Sequence, residues 1–183
     1  TAAIDAKQGR DVMTADIPNA FVQTDIPQEE LKERITMKIR GTLVDMLVEM
    51  DPERYKAFVT REGKHKILYV QVLKAIYGML QSSLLFYKKF RQDLEKEGYV
   101  LNPYDPCVAN KIINGKQHTI VWHVDDLKAS HVDPSVNDRF LEWLQKMYGE
   151  EGLADVKAIR GKKHDYLAMI LDYTEDYKVK IDM

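Results

Sequence analysis

The run Ile120-Val121-Trp122-His123-Val124-Asp125-Asp126-Leu127-Lys128 constrains this chain most, because an apolar strand leads directly into two adjacent carboxylates. Alternation sends Ile120, Trp122 and Val124 toward a core and sets Val121, His123 and Asp125 on the opposite face. Neighbouring anions repel, and burying either one without a cation or hydrogen-bond donors is costly. Such a pair is therefore either solvated in a turn, where Asp is common, or waiting for a metal. A second carboxylate far upstream bears on that choice.

That carboxylate is Asp16. Ala2 to Gln8 suits a short helix closed by Gly9, and Asp11 to Ile17 reads as a strand with Met13, Ala15 and Ile17 on one face and Val12, Thr14 and Asp16 on the other. Pro18 stops it, so Asp16 ends a strand on its more polar side, as Asp125 does. Gln28 to Lys32 suggests a helical turn, and Glu33 to Arg40 a half-buried strand. Leu43 to Met50 reads as a helix begun at Gly41 and Thr42. Tyr55 to Thr60 and Lys66 to Val72 read as strands about a tip at Arg61 to Lys64. Ser82 or Ser83 suits the cap of a helix to Glu97, with Leu84, Leu85, Tyr87, Phe90 and Leu94 inward and Lys88, Lys89, Arg91 and Gln92 outward. Cys107 to Ile113 and Gln117 to Val124 form a hairpin across Asn114-Gly115. Asp133-Pro134-Ser135 opens a helix through Tyr148 with Val136, Phe140, Trp143, Leu144 and Met147 as its stripe. Ala154 to Arg160, Tyr166 to Tyr173 and Lys178 to Ile181 read as strands. This order predicts an α+β fold: a mixed, mainly antiparallel sheet with helices on one face.

Composition narrows the function classes. The 183 residues suffice for a core, and a net charge of −2 gives no overall basic signature, so contact with nucleic acid must come from local Lys and Arg clusters. The single Cys107 rules out an intramolecular disulfide and a Cys-based zinc set, and it fits a reducing compartment. His65, His118, His131 and His164 lack metal-ligand spacing. No apolar run reaches the roughly 18 residues that cross a bilayer, so no membrane partner is expected. The chain begins at Thr1 within what reads as a helix, which suggests a piece of a longer polypeptide.

Five segments then fall in a telling order: Asp16-Ile-Pro-Asn-Ala-Phe21, Tyr77-Gly-Met-Leu-Gln-Ser82 before the Phe86-Tyr87-Lys88-Lys89-Phe90 helix, Asp105-Pro-Cys107, His123-Val-Asp-Asp126, and Asp165-Tyr-Leu-Ala-Met-Ile-Leu-Asp172. The series resembles the reverse transcriptase of copia-type retrotransposons and covers nearly the whole chain. The resemblance implies the palm of an RNA-directed DNA polymerase with part of its fingers over residues 1 to 183. It also implies an intracellular setting, either a cytoplasmic virus-like particle or the nucleus. Its partners would be a primed RNA or DNA template and deoxynucleoside triphosphates.

By the same resemblance, Asp16 and Asp125 are ligands of magnesium, with manganese as the alternative ion, and Asp126 is a less direct third carboxylate. Polymerase chemistry uses two divalent ions about 3.5 to 4 Å apart, and two carboxylates on neighbouring strands, about 5 Å apart, suit them. Phe21 would lie beneath the nucleotide sugar and exclude a 2′-hydroxyl, against the plainer reading of a core Phe. Tyr77, Gly78 and Gln81 would support the template and nucleotide base. Lys88, Lys89 and Arg91 are template-phosphate candidates or simply a solvated helix face, and Lys162-Lys163-His164 is a duplex-backbone candidate or a solvated turn. His123 stands where the family most often has Tyr and would contact the primer end, or else be a partly buried His.

Ser83 replaces the family's usual Pro. With only 15 residues before Asp16, the resemblance leads us to expect no counterpart in this sequence of the fingers strands that carry triphosphate-binding cations, nor of the connection and ribonuclease H domains. The expectation is an isolated chain that extends a primer weakly or not at all. The rival readings are a non-catalytic remnant that binds nucleic acid or only keeps the fold, and another palm-type nucleotidyl transferase or cyclase.

Overall fold

Pairing of the strand that ends at Asp16 organises the molecule. A computed structural model describes residues 1–27, 34–149 and 155–183, so the helical turn expected over 28 to 32 lies outside the described residues. The chain divides into two compact units, one of Thr1–Thr24 with Ile76–Met183 and one of Asp25–Ala75. Among the described residues no helix is long and apolar enough to cross a membrane.

In the larger unit, α1 (Ala2–Lys7) leads into β1 (Asp11–Asp16). In the smaller unit, β2 (Thr36–Arg40) is followed by α2 (Thr42–Met50), α3 (Pro52–Tyr55), a 3-10 turn over Lys56–Phe58, β3 (Thr60–Glu62) and β4 (His65–Gln71). The larger unit resumes with α4 (Ser82–Lys96), β5 (Val100–Leu101), β6 (Val108–Ile113), β7 (Lys116–His123), β8 (Asp126–His131) and α5 (Pro134–Tyr148). It ends with β9 (Lys157–Gly161), β10 (Lys163–Tyr166), β11 (Met169–Asp172) and β12 (Lys180–Asp182). A six-stranded sheet runs β5-β6-β7-β8-β1-β9, and two three-stranded sheets run β10-β11-β12 and β2-β4-β3. The pairings within these sheets are antiparallel, and the α+β expectation holds.

Several local expectations need correction. Tyr55 to Phe58 is helical, because Pro52 opens a turn whose first amides Asp51 caps through Arg54 N. The strand of Ile35, Met37 and Ile39 exists, but Met37 is exposed. Buried α4 positions follow Phe86, Phe90, Asp93 and Leu94, with Leu84 outside. Tyr166 to Tyr173 is two strands broken by Leu167 and Ala168, both in the left-handed region. The largest miss is β8: Asp126 to His131 is a full strand between β7 and β1.

As the central partner of β8 and β9, β1 is buried on both faces. Met13, Ala15 and Ile17 join Ile120, Trp122, Leu127, Phe86, Phe90 and Leu144 beneath α4 and α5. The other face is covered too: Val12 packs with Ala6 of α1 and with Tyr166, Leu171 and Tyr173, and Thr14 Oγ1 lies 3.2 Å from His164 Nδ1. His164 is therefore a buried structural group and not a duplex contact, while Lys163 pairs with Asp172 at 3.0 Å.

A buried polar chain ties the sheet to the start of α5. Asn137 Nδ2 donates to Asp11 Oδ2 (2.6 Å), which turns its Oδ1 toward His118 Nε2 (3.0 Å). That oxygen can only accept, so His118 carries its proton on Nε2 and accepts from the Tyr99 hydroxyl at Nδ1 (2.7 Å). Burial holds the His118 pKa down to about 4, and His131, Arg10 and Lys111 push the same way. The folded chain thus refuses a proton that the unfolded chain takes up below about pH 6.5. This contribution is complete above that pH and is lost as pH falls toward 4, amounting to roughly 3 kcal/mol. Urea denaturation between pH 7.5 and 4.5 should show that decline, and a His118→Leu chain a flatter profile.

Candidate active site

Two register facts build the site. Asp16 faces Asp126 across β1 and β8, and Asp126 faces His123 across β8 and β7. On the far side of β1, Asp16 faces Lys157 of β9. Directly opposed residues share a face with Cβ atoms about 5 Å apart. His123, Asp126, Asp16 and Lys157 therefore form one row across four strands, with two carboxylates at its centre and a cation at one end.

Asp125 does not occupy the strand position beside His123 that alternation assigns it. β7 and β8 are joined by a two-residue turn of Val124 and Asp125, with the Asp125 carbonyl accepting from Ile17 N at 3.1 Å. Val124 adopts a φ of 56°. A β-branched residue is rarely found there, and such strain gathers at functional sites. The turn extends the β1 ladder past Asp16 and holds Asp125 beside the Asp16–Asp126 pair.

The electrostatics register this crowding. Desolvation, then the charge of Asp125, raise the Asp16 carboxyl above its ordinary range, with Lys157 opposing. The packing around Asp126 raises that carboxyl too, followed by Asp125 and Asp16, while His123 opposes and Asp165 adds to the rise. An oxygen-only cluster whose members disfavour one another's charge is chemically suited to a hard divalent cation. Among the described residues no group of three or more His, Cys, Asp or Glu side chains is placed to hold a metal ion by itself. Magnesium commonly takes one or two carboxylates and completes its shell with water and substrate phosphate, so the residues present fit that mode.

Tyr77 lies close enough to Asp125 and Asp16 to feel their charge, and Phe21 lies against Tyr77. Their ring centroids lie 4.6 Å apart with planes inclined by 56°, and desolvation, Asp125 and Asp16 raise the Tyr77 hydroxyl pKa. The plain core reading of Phe21 holds in part, since one side of it packs on the main cluster. Gly78 has a φ of 93° with open space where a Cβ would stand, so the backbone angle selects glycine there. Gln81 is exposed at the N-cap of α4 and makes no side-chain capping bond. Ser82 does not cap the helix either: its hydroxyl donates back to the Ile76 carbonyl at 2.6 Å and closes the turn that carries Tyr77.

The three basic candidates on α4 part company. Lys89, expected outward, is half-buried against Asp93 at 2.7 Å and over the Tyr148 ring at 4.4 Å. Arg91 pairs with Glu95 at 3.0 Å. Lys88 is exposed and has no ion pair among the described residues. Lys157 was not singled out in sequence, and only its register opposite Asp16 reveals it.

No family model and no curated protein matches the sequence. Among solved structures, the chain is similar to telomerase from Candida albicans in complex with a TWJ fragment of telomeric RNA. The two share 12% identity at a TM-score of 0.47, over 98% of this chain and 34% of that one. It is also similar to apo telomerase from Candida tropicalis truncated from its C-terminal domain, with 13% identity at a TM-score of 0.46, over 94% of this chain and 35% of that one. The chain spans about a third of the length of these telomerase chains.

Proposed function

We propose that this chain is part of an RNA-directed DNA polymerase of the copia-type retrotransposon kind. The unit containing the carboxylates would serve as palm, and Asp25–Ala75 as part of the fingers. The observation that carries the reading is the pairing of Asp16 with Asp126 and the adjoining Asp125 turn, which bring carboxylates from distant parts of the chain to one sheet end. The motif order from Asp16 to Asp172 supports the copia-type assignment. An intracellular setting belongs with it.

Asp16 and Asp125 would hold magnesium, or manganese, with Asp126 assisting. Two such ions, when bound, lower the cost of charge on the attacking primer 3′ oxygen and on the leaving pyrophosphate. The side chains supply the rest. Phe21 bars a 2′-hydroxyl and selects deoxynucleotides. Tyr77, Gly78 and Gln81 back the base pair, Lys157 opposite Asp16 offers a cation to an incoming triphosphate, His123 stands at the primer end, and Lys88, without an ion pair among the described residues, serves template phosphate from α4.

Incorporation of labelled deoxynucleotide on a primed homopolymer RNA, with and without magnesium, tests the reading. Weak, strictly magnesium-dependent incorporation is expected. Binding of the primed template without any incorporation would favour the non-catalytic remnant instead.

A further inference from the structure

We infer that Tyr77 is a positioning residue for Phe21, so that sugar discrimination belongs to the ring pair and not to Phe21 alone; this deepens, and rests on, the polymerase reading. Phe21 stands in a succession of turns and not in a regular element. Its main chain is pinned: Thr24 N donates to the Phe21 carbonyl at 2.8 Å, and Gln23 Nε2 donates to the Pro18 and Tyr148 carbonyls at 2.7 Å each. The side chain is partly buried against the core cluster that includes Ile17 and Ala20. Among the described residues its aromatic neighbour is Tyr77, with ring centroids 4.6 Å apart.

Tyr77 is fixed in turn by its own loop. Ser82 Oγ and Met79 N both reach the Ile76 carbonyl, at 2.6 and 3.3 Å, and Ser82 N reaches the Met79 carbonyl at 3.2 Å. Gly78, in the left-handed region, lets the chain reverse directly after Tyr77. The result is a ring that stays 59% exposed while its loop is closed. A steric wall discriminates only as far as it resists displacement. A phenyl ring held on one side yields to an extra hydroxyl by rotating, and a second ring against it makes that rotation costly.

The test measures the ratio of deoxy- to ribonucleotide incorporation efficiency on one primed template. It also measures the ratio of dATP to ATP affinity in the presence of that template, by competition, a readout that needs no turnover. Tyr77→Ala is expected to lower both ratios about two- to tenfold, the range one ring contact supplies. Tyr77→Phe, which keeps the ring, is expected to restore them. Phe21→Ala is expected to lower them further, and Tyr77→Ala to add nothing in that background. Unchanged ratios in Tyr77→Ala, or an equal loss in Tyr77→Phe, would overturn the inference while leaving the polymerase reading standing. A chain that neither incorporates nor binds nucleotide would overturn both.

Discussion

Asp125→Asn is expected to lower magnesium-dependent incorporation by about a thousandfold or more, with Asp16→Asn matching it and Asp126→Asn costing about tenfold. A metal-held transition state draws several kcal/mol from its ligands, and each 1.4 kcal/mol or so lost is a factor of ten in rate. The fold should survive all three changes, because each removes one of a set of repelling anions. The carboxyls of Asp16 and Asp126 have folded-state pKa values raised above their unfolded ones. The folded chain therefore keeps protons that the unfolded chain has released, and these two groups destabilise the fold as pH rises through that interval. Magnesium should relieve the repulsion. The melting temperature of the wild-type chain is expected to rise with added magnesium at neutral pH, and that rise to shrink in Asp125→Asn. Undiminished incorporation in Asp125→Asn would remove the carboxylate from the chemistry. Lost incorporation together with a collapsed melting temperature would make its role structural.

What sequence disclosed and what it hid follow from where each element finds its partners. The β6–β7 hairpin and α5 were legible because their signals are local: Asn114-Gly115 between alternating runs, and Asp133-Pro134 before a 3.6-residue stripe closed by Gly149. β8 was not. Its Leu127-Lys128-Ala129-Ser130-His131 run is buried on both faces, so Lys128 and Ser130, which would ordinarily mark a solvated side, stand inside instead. Lys128 and Ser130 are satisfied by Asp5, more than a hundred residues earlier, and no window along the chain can see that pairing. The turns hid for a related reason. Val124, Leu167 and Ala168 take positive φ without being Gly or Asn, so tertiary packing and not turn chemistry sets them. Without β8 in view, Asp125 was placed on a strand and not in the turn, the register of Asp126 opposite Asp16 was hidden, and Lys157 went unnoticed.

The largest stability effect should fall away from the carboxylates, where Asp5 of α1 meets Lys128 of β8. Asp5→Ala is expected to cost about 3 to 5 kcal/mol, the range seen when one member of a buried ion pair is removed, and a large share of the 5 to 15 kcal/mol of an ordinary domain. Asp5 is fully buried, with Oδ2 2.5 Å from Lys128 Nζ, Oδ1 2.6 Å from Ser130 Oγ, and Arg10 at 3.7 Å. Lys128 is itself 2% exposed at the side chain, so the variant strands its ammonium without a counter-charge. Asp5→Leu with Lys128→Met should recover part of the loss, because it removes the stranded ammonium but still leaves Ser130 Oγ and Arg10 without Asp5. Urea denaturation of the two singles and the double measures the coupling. The pair also has a positional consequence. A one-residue slip of β8 would swing Lys128 to the helix side of the sheet and carry Asp126 out of register with Asp16. The Asp5–Lys128 pair opposes that slip, so Asp5→Ala is expected to reduce the magnesium-induced rise in melting temperature as well. The double variant, with part of its stability regained but no charge to fix the register, should regain a smaller fraction of that rise. Recovery of stability and of the magnesium response in equal measure would show that packing alone sets the register of β8.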